Sequence, residues 1–128
     1  MDGRAQVRKV PRGTVITLSL DPTVGSEQRG VRPCVIVSDP DVAGEQRYPL
    51  VAVVPLTRTA GEGALYPRLD PGDSGIRSVS FALVDQVRSV DKRRIRGIGR
   101  SVAAVELEAI DAGLCLFLGL EAGTGNPS

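Results

Sequence analysis

The sequence predicts a single, mainly β domain closed by one C-terminal helix, and three features predict it. Thr14-Val15-Ile16-Thr17-Leu18-Ser19-Leu20 alternates hydroxyl with branched or leucine side chains, the period-2 pattern of a half-buried strand. Cys34 to Val37 and Leu50 to Val54 are short apolar runs, rich in β-branched residues and flanked by prolines. Near the end the period changes: Leu107, Ile110, Leu114 and Leu118 recur at three- and four-residue intervals. Several short strands at close spacing point to a small, strongly curved antiparallel barrel or half-barrel. With 128 residues, 41% of them hydrophobic, the chain can bury one core but not two separate ones.

Each element follows in order. Residues 1–12 form a flexible basic lead-in, and Pro11 and Gly13 mark the start of the first strand. The long polar segment Asp21 to Pro33 is a loop. It leads into Cys34–Val37, which with Leu50–Val54 reads as a central strand covered on both faces. Between these two, Asp39 to Arg47 carries only loop signals. Arg58 to Ala64 is a further loop with two glycines and no apolar anchor. Tyr66 to Leu69 is a weak strand ending at the turn Asp70-Pro71-Gly72-Asp73. Val79, Phe81 and Leu83 then alternate with Ser80, Ala82 and Val84, and Val87 and Val90 continue the apolar pattern. The helix spans about Ala103 to Leu118, its stripe widened by Val105 and Phe117, with Ser101 as a plausible cap and Gly119 as its end. Gly113 inside it costs about 1 kcal/mol against alanine. The domain therefore covers 13–120, and 121–128 reads as a disordered tail.

The net charge of +1 conceals two basic clusters, Arg4 to Arg12 and Lys92, Arg93, Arg94, Arg96 and Arg100. A nearly neutral protein can still turn a positive face to an anionic partner, although a solvated surface run is the commoner meaning of such a cluster. Cys34 and Cys115 have no CxxC neighbour, which excludes a zinc knuckle or thioredoxin-type pair and leaves two buried thiols as the simplest expectation. Residues 1–13 are polar and basic, unlike a signal peptide. The most apolar tail segment, Leu114 to Leu120, is far shorter than the ~20 residues of a membrane span. A cytoplasmic protein without membrane contact is expected.

Chemistry concentrates in the loop before the Cys34 strand, which packs arginines, hydroxyls, a carboxylate and a carboxamide together. The chain has no histidine, so no imidazole can act as base, zinc ligand or pH switch. Pro33 restricts Arg32 toward extended backbone, fixing the base from which its guanidinium projects, and that planar fork of donors matches a phosphate. An arginine paired for structure alone with Glu27 or Asp85 is the competing account, and both can hold together. Thr57 follows Val53-Val54-Pro55-Leu56, just past a buried strand. A threonine there is most often a turn or capping residue, but neighbouring strand ends would bring it toward Arg32 and Ser26 as a phosphate pocket.

The blocks Gly25-Ser26-Glu27-Gln28-Arg29-Gly30-Val31-Arg32-Pro33, Val54-Pro55-Leu56-Thr57 and Val84-Asp85-Gln86-Val87-Arg88-Ser89-Val90-Asp91-Lys92-Arg93-Arg94, with the closing Leu116-Phe117-Leu118-Gly119-Leu120, resemble the MazF/PemK family of toxin endoribonucleases from about Gly13 to Leu120. The resemblance implies an SH3-like small barrel of the MazF/PemK/CcdB type, working as a homodimer in the cytoplasm. It implies sequence-specific, metal-independent cleavage of single-stranded RNA with no cofactor, inhibited by a cognate antitoxin. By the same resemblance Arg32 and Thr57 are catalytic. Ser26, Glu27, Gln28 and Arg29 form the substrate loop, joined in substrate binding by Arg58, Asp85 and Gln86. Arg29 stands where relatives often carry a small or uncharged residue. Attack by the RNA 2′-hydroxyl would leave a 2′,3′-cyclic phosphate and a 5′-hydroxyl. A gyrase-poisoning toxin that cleaves nothing, or a barrel that only binds, is the alternative.

Overall fold

The structure, a computed structural model, describes residues 10–19 and 30–121. Within them the elements run β1 (Thr14–Ser19), β2 (Val31–Ile36), α1 (Pro40–Gly44), β3 (Leu50–Thr57), β4 (Arg68–Leu69), β5 (Ser80–Ala82), β6 (Arg88–Asp91), β7 (Ile95–Ser101) and α2 (Ala104–Leu118). All six ladders are antiparallel. The strand order is β4-β5-β3-β2-β1-β7, with β6 also paired to β3.

The mainly β architecture with a closing helix is as expected, but the SH3-like small barrel is not closed. Among the described residues no ladder joins β4 to β7, so the sheet is an open half-barrel. The β4 edge is too short to close it: β4 has two residues and β5 three, which leaves few backbone groups to pair.

Alternation along β1–β3 builds two cores. Val15, Val35, Val54 and Leu56 face α2 with Val84, Val102 and Ile110. Ile16, Leu18, Cys34, Ile36, Val51 and Val53 point the other way, toward Ala43 of α1 and Val90. Period 2 therefore serves strands covered on both faces. Val53 pairs with Ile36 on one edge and Arg88 on the other, while Leu56 and Thr57 pair with Ala82 and Phe81. β5 and β6 thus run along the same edge of β3, and the 3-10 turn Val84–Gln86 bulges out between them.

Three elements depart from expectation. The segment after Asp39, expected as loop, contains α1. Asp39 Oδ1 accepts from the Asp41 amide at 2.8 Å and Pro40 occupies the first turn, so the residues that spell a loop also start a helix. Its C-terminal carbonyls, of Val42 and Glu45, each accept at 2.9 Å from Nζ of Lys92, which is only 2% exposed. The basic cluster is thereby partly structural. Arg93 forks onto Asp91, and Arg94 donates to the Ser19 carbonyl.

β7 was not expected, because Gly97 and Gly99 weaken its strand signal. A Cβ at Gly97 would lie 2.9 Å from Thr17 Oγ1, and one at Gly99 would lie 3.1 Å from the Val15 carbonyl, so close approach to β1 demands glycine. In α2 the expected stripe is only partly used. Ile110 is fully buried and Leu107 and Leu114 partly so, whereas Val105, Phe117 and Leu118 are exposed. Ala103, not Ser101, is the N-cap. Its amide donates to Glu106 Oε1 at 3.1 Å, and Gly119 in left-handed conformation ends the helix. Arg12 fixes the helix to the sheet by forking onto Asp111 at 2.7 and 2.8 Å while donating to the Val37 carbonyl. Cys34 is buried, but Cys115 is only partly so.

Candidate functional site

The β2–β3 ladder stops at the pair Cys34–Pro55. Pro33 and Pro55 supply no amide hydrogen there, so the strands Val31–Pro33 and Leu56–Thr57 continue past it without pairing to each other. A cleft of about 340 Å³ opens in that gap, lined by both strand ends and by the segment from Gly75 to Ser80 that leads into β5. Arg32 and Thr57 therefore meet across one cleft, as the sequence suggested. Each belongs to a strand, however, since β2 begins three residues before the apolar run and β3 ends on Thr57 itself.

Thr57 is held by its neighbour: the Thr59 amide donates to Thr57 Oγ1 at 3.1 Å. That bond occupies an acceptor site on the hydroxyl and leaves its hydrogen to donate outward. Arg58, the next residue, is exposed and lines the same cleft. Sequence reasoning missed Thr17, Arg77 and Ser78, which complete the wall. For Arg77 the only signal was a lone arginine in a Gly/Ser-rich stretch before a strand. Among its described lining residues the cleft has three arginines and no carboxylate.

Thr57 also borders a second cleft of about 270 Å³, where Gln86 lies with Tyr66 and Phe81. The bulge between β5 and β6 carries Gln86 there. Asp85, on the same turn, lines neither cleft; its Oδ2 accepts from the Tyr66 hydroxyl at 2.5 Å and its buried Oδ1 has no hydrogen-bond partner among the described residues. The bond to Asp85 pushes the Tyr66 phenol above its ordinary range, with desolvation and the carboxylate charge adding to the effect. The loop from Arg58 is anchored after all, because Gly61 packs so close to Tyr66 that a Cβ would lie 2.9 Å from the tyrosine Cβ. Ser26, Glu27, Gln28 and Arg29 lie outside the described residues. Among the described residues no group of three His, Cys, Asp or Glu side chains could hold a metal ion, and no helix is long and apolar enough to cross a membrane.

The family described as PemK-like, MazF-like toxin of type II toxin-antitoxin system matches residues 11–118. The chain belongs to this family. Like other MazF-like toxins it combines the antiparallel sheet with a C-terminal helix. It is 30% identical over 113 residues to the Bacillus subtilis (strain 168) endoribonuclease EndoA, covering 87% of this chain and 96% of that one. Its fold matches the crystal structure of MazF from Deinococcus radiodurans with a TM-score of 0.68 at 28% identity, over 87% of this chain and 98% of that one. A crystal structure of MazE-MazF from the same organism matches at 29% identity and a TM-score of 0.67, over 88% and 98% of the two chains. In this MazF-like chain the two strand ends at the cleft, around Arg32 and Thr57, come from blocks that carry the resemblance in sequence, whereas Thr17, Arg77 and Ser78 lie outside those blocks.

Proposed function

We propose that this chain is a toxin that cleaves single-stranded RNA at specific sequences, without a metal ion, and is silenced by a cognate antitoxin. The observation that carries the proposal is the cleft that places Arg32 and Thr57 together among arginines with no carboxylate in its described lining. Family membership and the likeness to an endoribonuclease support it.

RNA brings its own nucleophile. Attack of the 2′-hydroxyl on the adjacent phosphorus yields a 2′,3′-cyclic phosphate and expels the 5′-oxygen, so no water needs activation. The protein's part is to align the attack and stabilise charge on the phosphoryl oxygens. Arg32 holds the non-bridging oxygens with its guanidinium, a group that only donates hydrogen bonds. Thr57 donates its free hydroxyl hydrogen to the same phosphoryl group. Arg58 and Gln86 contact the flanking RNA, together with Ser26, Glu27, Gln28 and Arg29 of the substrate loop. Asp85 positions Tyr66 at the second cleft through the bond they share. The protein works in the cytoplasm as a homodimer. The exposed Leu116, Phe117, Leu118 and Leu120 at the end of α2 supply apolar surface for assembly.

The test is cleavage of a defined RNA in excess EDTA with the product ends mapped. Cyclic phosphate and 5′-hydroxyl ends are expected, with activity lost in Arg32→Ala. Activity that vanishes in EDTA, or products with 3′-hydroxyls, would overturn the mechanism. Antitoxin control is tested by co-purifying the product of a neighbouring reading frame, which should abolish cleavage at stoichiometric excess.

A further inference from the structure

We infer that Arg58 and Arg77 form a second phosphate site, which holds the phosphodiester next to the one being cleaved. The inference rests on the ribonuclease function proposed above and deepens it.

The charge balance of the cleft motivates it. Elsewhere in the fold three arginines are matched by carboxylates: Arg12 by Asp111, Arg68 by Asp70 and Arg93 by Asp91. Arg58 and Arg77 have no hydrogen bond or ion pair among the described residues, yet they line one cleft with Arg32. Arg88 and Arg100 are also unmatched among the described residues, but they line neither cleft. Placing Arg58 and Arg77 together in one cleft, with no charge partner among the described residues, costs mutual repulsion, which an anionic ligand offsets. One phosphodiester carries a single negative charge, and one guanidinium fork satisfies its two non-bridging oxygens. A second phosphate accounts for the remaining cations.

The sheet order divides the labour. β3 lies between β2 and β5, and its last residue Thr57 pairs with Phe81. Arg32 enters the cleft from the β2 side, whereas Arg77 comes from the segment leading into β5, on the opposite edge of β3. Arg58 continues from Thr57. Arg32 and Thr57 therefore hold the scissile phosphate, and the β5 side of the cleft takes its neighbour. Sequence is read elsewhere, so this second site adds affinity and register rather than base choice.

The experiment replaces single linkages of a cleavable oligonucleotide with neutral methylphosphonate, at each of the two positions flanking the scissile bond. With wild-type protein, one of the two replacements should lower kcat/KM by about 10-fold, as expected for loss of a charge-assisted contact. Arg77→Ala should lower it similarly on the all-phosphate RNA, show no further loss with that replacement, and reduce the log–log salt slope by about 0.7. Arg77→Lys should recover part of the loss. Arg77 is exposed, and circular dichroism checks that each variant is folded. Losses from variant and replacement that multiply, or an Arg77→Ala protein equal to wild type, would overturn the second site. If wild-type protein cleaves no RNA, the ribonuclease proposal falls. The site is then judged by binding of a 2′-O-methyl oligonucleotide, where a salt slope unchanged by Arg77→Ala overturns it too.

Discussion

The Thr59 amide donates to the Thr57 hydroxyl oxygen across 3.1 Å, so the side chain at the end of β3 is turned by its own backbone two residues on. The hydroxyl reaches the cleft already oriented, with its hydrogen as the group left to offer.

Thr57→Ser keeps that bond and should retain most of the RNA cleavage. Thr57→Val keeps the shape but removes both acceptor and donor. Its kcat should fall about 100-fold, the usual scale for losing one donor to a developing oxyanion. Single-turnover cleavage of a defined RNA checks it, and equal rates for the two variants would remove Thr57 from the chemistry.

Gly113→Ala sets two effects against each other. Helix propensity favours alanine by about 1 kcal/mol. The new Cβ would stand 2.8 Å from the Ala64 carbonyl and 3.2 Å from Val84, and a backbone oxygen cannot swing aside as a flexible side chain can. Overpacking should win, with a net loss of about 1–3 kcal/mol in denaturant unfolding. A stabilised variant would show that α2 lifts freely from the sheet.

Lys92→Met keeps the apolar stem but removes the charge-assisted bonds to the carbonyls of Val42 and Glu45, which keep only the backbone bonds they accept from the Glu45 and Tyr48 amides. Hydrogen bonds from a charged group contribute about 1.5–3 kcal/mol, so unfolding should shift to clearly lower denaturant. An exposed arginine such as Arg100 changed to Ala should move it by less than about 0.5 kcal/mol.

Burial pushes the Cys34 thiol from its ordinary 9.0 up to about 12, with Arg88 opposing weakly. The folded state therefore keeps Cys34 protonated where the unfolded chain ionises. Its contribution to stability is complete below pH 9 and declines as pH rises from 9 toward 12. At neutral pH a disulfide reagent should titrate Cys115 alone in the native protein and both thiols in denaturant. Two fast-reacting thiols in the native state would contradict the burial of Cys34.

β1, the buried runs of β2 and β3, and α2 were legible because each element's own period states which side is covered. α1 was hidden by its brevity and by Asp39-Pro40, which begin loops and helices alike. β7 was hidden because its glycines answer to Thr17 and Val15, far away in sequence. Arg32 and Thr57 could be brought to one cleft from sequence because Arg32 directly precedes Pro33 and Thr57 stands at the end of a buried strand. Arg77 could not. Its place depends on β5 pairing with the end of β3, and nothing near residue 77 encodes that partnership. Lys92 is the converse case, a residue that looks like part of a solvated basic face and is buried with its ammonium donating to two carbonyls at the end of α1.

The pairing of β1 with β7, which sets Thr14 opposite Ser101, has a consequence for the newborn chain. The first strand finds its outer neighbour only after nearly all of the domain has been synthesised, and contacts so distant in sequence form late. Arg32 and Thr57 are made early, but the sheet they belong to is completed by β7, the last strand among the described residues. Until β7 has been made, β1 is left with an unpaired edge, so the growing chain exposes a strand that its own C-terminal part later covers.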